Sequence, residues 1–298
     1  MDLDLPKGTG IIPGNGHAEA RPVPPRPNGK PVRKDEIVLE ERGLYVESWL
    51  PERRSRRRPI YYLHGELGGS WLWERYLRYF AQRGWEGHAL NLRSHFWSQT
   101  APIEELSFDS YLDDAAAGFE ALGRPAVVVG HGLGALLALK LAEGRQVDAV
   151  VLISPAMPSP LRPVPPSHVV RLVPAMYQSE LIDWAGSAEQ VQRQNQDLSL
   201  NDVRRIQHLL GAESGAARRQ MLAGVHVDRE RLPDVPMLVI GAGLDRQFTE
   251  ADSSRVADWL GAEYQPFGAH SHYGTVIGES SFDQVADTIR SFLEHHRL

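Results

Sequence analysis

One stretch constrains the fold more than any other: Val127-Val128-Val129-Gly130-His131-Gly132-Leu133-Gly134-Ala135-Leu136-Leu137. A β-branched run suited to a strand buried on both faces passes through a glycine-rich turn into a helix of small apolar residues. Such a strand belongs in a parallel sheet covered by helices on both sides. Two chemical devices use this layout. One is the phosphate-cradling G-x-G-x-x-G/A, met formally by Gly130, Gly132 and Ala135. Its expected acid should end the next strand, whereas Asp148 precedes strand 149–153, and the match lies mid-chain. The other is the G-x-S-x-G elbow, which lifts a nucleophile above the sheet. Gly130-His131-Gly132-Leu133-Gly134 fits every position of it but the central one, Gly132.

The surrounding pattern predicts a doubly wound α/β chain. Residues 37–39 and 44–49 read as a strand hairpin turning at Glu41-Arg42-Gly43, and 60–63 as a short buried strand. Helical spacing at 72–83, 111–122 and 133–142 alternates with strand runs at 88–92, 126–129 and 149–153. The rhythm breaks at 155–174, which holds seven prolines, and 175–232 reads as polar amphipathic helices, with 201–210 and 216–222 the clearest. It resumes with a strand at 237–240 and helices at 253–260 and 282–293. Residues 1–35 hold seven prolines and five glycines with few large apolar residues, too little to offset the entropy of ordering. The expected organisation is a flexible tail over 1–35, a core from 36–154 and 233–298, and a helical lid over 155–232.

The landmarks around the elbow, taken in order, resemble the α/β-hydrolase family, and specifically its lid-bearing, esterase-like members. The resemblance spans about residues 36–295 and implies a mostly parallel sheet with an N-terminal antiparallel hairpin. Tyr61-Tyr62-Leu63-His64-Gly65-Glu66 resembles the family's strand followed by His-Gly-x, which implies an oxyanion-binding backbone N–H at Glu66, with the second at Leu133. Asn91-Leu92-Arg93-Ser94-His95 resembles its Asp-x-Arg-Gly-His-Gly turn, with Asn and Ser as departures. Val239-Ile240-Gly241-Ala242-Gly243-Leu244-Asp245 resembles the late strand and loop bearing the catalytic acid, which assigns Asp245 that role. Gly268-Ala269-His270-Ser271-His272-Tyr273 resembles the histidine loop; His272 is preferred, and His270 stays open.

Against this pattern the missing serine is the decisive departure. Gly132 offers no hydroxyl, so an acyl-enzyme cannot form there. The chain has no cysteine to substitute, and no aspartate stands at the position, which excludes the epoxide-hydrolase and dehalogenase variants. Three readings remain. The first keeps His272 and Asp245 as a general base beside the oxyanion amides and acts without covalent catalysis on a small, largely apolar ester, lactone or ketone-like compound. The second is an inactive hydrolase-fold protein that binds a small molecule or partner, with Trp71, Trp73, Phe96 and Trp97 near the expected mouth. The third moves the nucleophile to Ser70, Ser94 or Ser271, although none lies on a strand-to-helix elbow and Ser70 reads as a helix N-cap.

Composition narrows the remaining classes. A net charge of −6 gives no field favouring nucleic acid. The run Arg53, Arg54, Arg56, Arg57 and Arg58 reads as a solvated turn. No apolar stretch reaches membrane-span length, and Met1-Asp2-Leu3-Asp4 lacks a signal-peptide layout, so a soluble cytoplasmic chain is expected. No cofactor is implied, and no H-x-x-x-H spacing argues for a metal. A small-molecule substrate or ligand is the expected partner; the oligomeric state stays open.

Overall fold

The computed structural model describes residues 21–23 and 31–298, apart from Arg54, Pro160 and Val164. Most of the expected tail, 1–20 and 24–30, lies outside the described residues. Strand β1 (Arg21–Val23) pairs antiparallel with β2 (Val32–Leu39), which pairs antiparallel with β3 (Leu44–Pro51). The hairpin is thus longer than its apolar residues suggest. The Val32–Asp35 half of β2 pairs in full register with Ser48–Pro51 although its side chains are mostly polar. A strand near the sheet edge needs backbone partners more than a buried face.

Strands β4 (Ile60–Leu63) and β5 (Gly87–Leu90) follow, the second reached through a 3-10 turn at Ser70–Trp73 and helix α1 (Glu74–Ala81). Ser70 is no helix cap. Gly69 occupies that position without a side-chain bond, while the Ser70 hydroxyl donates to Glu47 Oε2 at 3.0 Å. Helix α2 (Phe108–Glu120) opens on a capping box made by Ser107 and Ser110. Strand β6 (Val127–His131), helix α3 (Leu133–Ala142) and strand β7 (Ala149–Ile153) then form the centre; every residue of both strands is buried.

Residues 155–232 leave the sheet. They carry α4 (Ser167–Arg171), a two-residue ladder between β8 (Met176–Tyr177) and β9 (Glu213–Ser214), and helices α5 (Ala188–Gln194), α6 (Leu200–Leu209) and α7 (Gly215–Ala223). The sheet resumes with β10 (Met237–Ala242), α8 (Glu250–Leu260), β11 (Glu263–Phe267) and α9 (Phe282–His295). Its order is β1-β2-β3-β5-β4-β6-β7-β10-β11, parallel from β5 to β11. This is the α/β-hydrolase architecture that the landmarks implied. One apolar cluster packs on each face of the sheet: α1 and α9 on one, α2, α3 and α8 on the other.

A buried polar network ties the 155–232 segment to the core. Glu213 of β9 accepts from Tyr111 Oη of α2 at 2.5 Å and from the Leu67 backbone N–H at 3.0 Å. His95, in the loop after β5, places Nε2 3.1 Å from the same carboxylate. Burial pulls the His95 imidazole down, but the Glu213 charge and hydrogen bond outweigh it and leave its pKa raised. Burial likewise opposes the Glu213 charge, yet His95, Tyr111 and the Leu67 amide hold its pKa at about 2.

The arginine run lies mostly at the surface: Arg57 packs its guanidinium 3.6 Å over the Trp85 ring, and Arg58 approaches Asp148 at 3.5 Å. Among the described residues, no helix is long and apolar enough to cross a membrane.

Candidate active site

The turn between β6 and α3 is tight because two glycines let the helix approach the sheet. A Cβ on Gly130 would stand 2.2 Å from the Gly134 carbonyl oxygen, and one on Gly134 would stand 2.3 Å from that of Leu63. Between them Gly132 adopts φ 56° and ψ −116°, a conformation costly for any residue with a side chain. Its carbonyl accepts from the Ala156 N–H at 3.1 Å, and its own N–H donates to the Ile153 carbonyl at 3.1 Å.

Two further loops converge on this turn. The loop after β10 carries Asp245, whose Oδ1 accepts the Gln247 and Phe248 backbone N–H groups at 2.8 and 2.9 Å. Those bonds fix the carboxylate so that Oδ2 meets His272 Nδ1 at 2.6 Å. With Nδ1 engaged there, Nε2 is left facing the turn. The point a Gly132 Cβ would occupy lies 3.3 Å from His272 Cε1 and 3.4 Å from Nε2. Of the two histidines left open by the sequence, His272 is therefore the one that meets Asp245 and Gly132. His270 turns away and bonds the Ser281 carbonyl through Nε2 at 3.2 Å.

Neighbouring histidines are structural supports. His131 stacks on His272 with ring centroids 4.0 Å apart, and its Nε2 donates to the His272 carbonyl at 3.1 Å. Burial first, and then the adjacent His272, push its pKa well below the ordinary histidine value, so the ring is neutral. His64 donates through Nδ1 to the Gly65 carbonyl at 2.8 Å and accepts the Leu92 N–H at Nε2. Burial lowers its pKa to about 3.

The two backbone amides expected to bind an oxyanion belong to Glu66, in the loop after β4, and to Leu133, next to Gly132 in the chain. Leu133 opens a helix, where N–H groups have no intrahelical acceptor. Among the described residues neither amide donates to a carbonyl or side chain. The Glu66 side chain has a role the sequence did not disclose. Its Oε1 accepts Arg218 Nη1 at 2.7 Å and the Tyr177 hydroxyl, while Oε2 is buried without a hydrogen-bond partner among the described residues. Arg218 lies 152 positions away in the chain, and no local pattern announces such a pair.

A cavity of about 190 Å³ opens at this place, lined by His272, Phe248 and Glu66 below and by residues of the 155–232 segment above. Its apolar wall comes from Leu181, Ile182, Trp184, Met221, Leu244 and Phe248. The aromatic residues expected at the mouth lie elsewhere. Trp71 and Trp73 are buried in the core on the α1 face, and Phe96 and Trp97 are exposed, 44% and 67%. All four belong to sequence-local turns and helices around β5, and the cavity forms from long-range contacts instead. The alternative serines Ser94 and Ser271 bond to backbone groups of their own loops. Ser94 Oγ donates to the Ala101 carbonyl at 2.7 Å, and Ser271 Oγ accepts the Gly274 N–H at 3.3 Å. Among the described residues no group of three or more His, Cys, Asp or Glu is arranged to hold a metal ion.

The alpha/beta hydrolase family model matches residues 60–288. No curated protein matches the sequence. Solved structures resemble the chain at low identity. A hydrolase from Pseudomonas aeruginosa PA01 is 18% identical with a TM-score of 0.63, covering 87% of this chain and 98% of its own. A monoacylglycerol lipase from Paleococcus ferrophilus is 19% identical with a TM-score of 0.66, covering 85% and 99%. A thermophilic esterase from Thermogutta terrifontis is 17% identical with a TM-score of 0.65, covering 89% and 99%. Such identities speak to the fold alone.

Proposed function

The chain belongs to the alpha/beta hydrolase family, and from that premise we propose that it acts on a small ester, lactone or ketone-like carbonyl compound by general-base catalysis without a covalent intermediate. Gly132 is read as the vacated nucleophile position, and the 155–232 segment as the lid over it. The carrying observation is the retained pair: His272 bonded to Asp245 at 2.6 Å, with its free edge 3.3–3.4 Å from the Cβ position of Gly132. A histidine oriented by a carboxylate and aimed at an empty elbow is equipped to take a proton but has no hydroxyl to take it from.

The proton then comes from water or from the substrate. In the hydrolytic form, a water in the space beside Gly132 gives its proton to His272 Nε2 as its oxygen attacks the carbonyl carbon. Asp245 stabilises the resulting imidazolium, and the Glu66 and Leu133 amides hold the developing oxyanion. His272 then returns the proton to the leaving oxygen as the carbon–oxygen bond breaks. In the elimination form, Nε2 removes a proton from the carbon beside the carbonyl, the same amides hold the enolate, and the enolate collapses by expelling the group on the next carbon, which takes the proton from the His272 imidazolium. In the isomerisation form, the imidazolium returns the proton to a different atom of the enolate. General-base catalysis of this kind contributes about 10²–10⁴-fold, so turnover is expected to be slow.

The test compares a short p-nitrophenyl ester series on the natural protein, Gly132→Ser and Gly132→Ser/His272→Ala. A burst of p-nitrophenol from the serine variant that the double variant lacks is the expected result, because a restored hydroxyl finds its base and oxyanion amides in place. Slow turnover by the natural protein, abolished in His272→Ala, supplies the second half. If all variants are inert and His272→Ala leaves small-molecule binding intact, the catalytic reading falls and the binding protein takes its place.

A further inference from the structure

The charged groups lining the cavity are directly paired with one exception. Glu66 is neutralised by Arg218 at 2.7 Å, and Asp183 by Arg246 at 3.0 Å. Asp245, beneath the cavity, is bonded to His272. One charged group on the lining is left over, Arg162. Its Nε donates to the Leu222 carbonyl at 3.1 Å, which fixes the guanidinium plane and leaves its two terminal nitrogens available. Among the described residues Arg162 makes no ion pair with a carboxylate. The side chain is half-buried, and that burial works against its charge, lowering its pKa. Holding a guanidinium partly out of water without a direct ion pair costs free energy that Asp252 and Glu66, acting at longer range, offset only in part, and a ligand carboxylate would offset the rest.

We propose that the cavity takes a ligand bearing a carboxylate, received by the terminal nitrogens of Arg162, on the same molecule whose carbonyl faces His272. The second half rests on the functional reading above; the first does not. A planar fork with two terminal nitrogens in no direct ion pair suits a carboxylate, which is planar, monoanionic and bidentate. A phosphate dianion would leave a net negative charge beside Glu66. With Arg162 and His272 on one cavity of about 190 Å³, the chemical class is a short oxo acid or the half-ester of a short dicarboxylic acid. The apolar wall at Ile182, Trp184 and Phe248 accommodates the methylenes between the two groups.

Calorimetric titration at neutral pH separates the possibilities, using monomethyl glutarate, dimethyl glutarate and inorganic phosphate as probes. The His272→Ala protein serves for binding, so that no turnover disturbs the measurement. Monomethyl glutarate should bind at least tenfold more tightly than the diester, and more tightly than phosphate. Arg162→Gln and Arg162→Met, the second keeping the aliphatic stem, should each abolish the preference for the monoester. Equal affinity for the two esters overturns the proposal without recourse to any variant. So does a preference that survives in a folded Arg162 variant, and so does tighter binding of phosphate. The functional reading fails separately: carboxylate binding at Arg162 with no His272-dependent turnover removes the catalysis and keeps the carboxylate site.

Discussion

At the scale of single residues, Gly132 couples stability to chemistry. A residue with a Cβ at φ 56°, ψ −116° pays about 1–3 kcal/mol in backbone strain. That Cβ would also press on His272 and Phe248, each with an atom 3.3 Å away, closer than side chains ordinarily stand. Gly132→Ser should therefore lower the melting temperature while creating the ester burst described above. Scanning calorimetry of the two proteins checks it; an unchanged or raised melting temperature would mean that the turn relaxes, and that Gly132 relieves no strain. Sequence made this residue visible because three alternating glycines between an apolar strand and a helix form a local pattern. It did not reveal Arg162, Glu66 Oε1 or Arg218, whose meaning depends on partners far apart in the chain. A charged residue in a proline-rich segment looks solvated until the fold shows what it faces.

Among the elements, α3 is the one whose position decides the site. It starts at Leu133 with nine of its ten residues buried, and its first turn lies against β4 through Gly134. A methyl group there would meet the Leu63 and His64 carbonyl oxygens at 2.3 and 2.5 Å, so the helix end must move or the sheet must part. Gly134→Ala is expected to cost about 1–3 kcal/mol by overpacking. Its Leu133 amide would shift with the helix, so the burst of Gly132→Ser should also weaken in the Gly132→Ser/Gly134→Ala protein. Urea unfolding and the ester assay read the two effects; a neutral Gly134→Ala would show that the contact is soft. The central elements were legible because they are buried on both faces: strands 60–63 and 149–153 and helix 133–142 agree with the apolar runs to the residue. The edges were not. Strand β11 contains Pro266 and keeps a half-exposed face, so its residues carry no apolar alternation to read. The start of β2 is hidden by the same logic, since backbone pairing holds it.

For the molecule as a whole, the buried histidines set the response to acid. Burial lowers the pKa of His64 to about 3, that of His88 to about 4, and that of His131 well below its ordinary value. Below about pH 6.5 the unfolded chain therefore takes up protons that the native protein refuses, and stability is lost as pH falls, by up to about 1.4 kcal/mol per unit for each group. Glu213 adds to the loss lower down, because its carboxylate is held at about 2 and its stabilisation fades as pH drops below the ordinary carboxylate range. His95 has the opposite sign. Its raised pKa stabilises the native state at and below the ordinary histidine value, and that contribution disappears as pH rises through the raised one. Toward acid the three lowered histidines outweigh His95, so stability falls as pH drops below the ordinary histidine value. His88 isolates one contribution, since it bonds Ser48 at 2.8 Å across β3 and β5 and lies outside the cavity lining. His88→Gln keeps a side chain able to bond Ser48 but cannot titrate, so its unfolding free energy should fall less steeply between pH 6.5 and 4.5, by about one proton's worth of slope. Urea melts of both proteins across that range decide it: parallel slopes would mean that His88 titrates alike in the folded and unfolded chains.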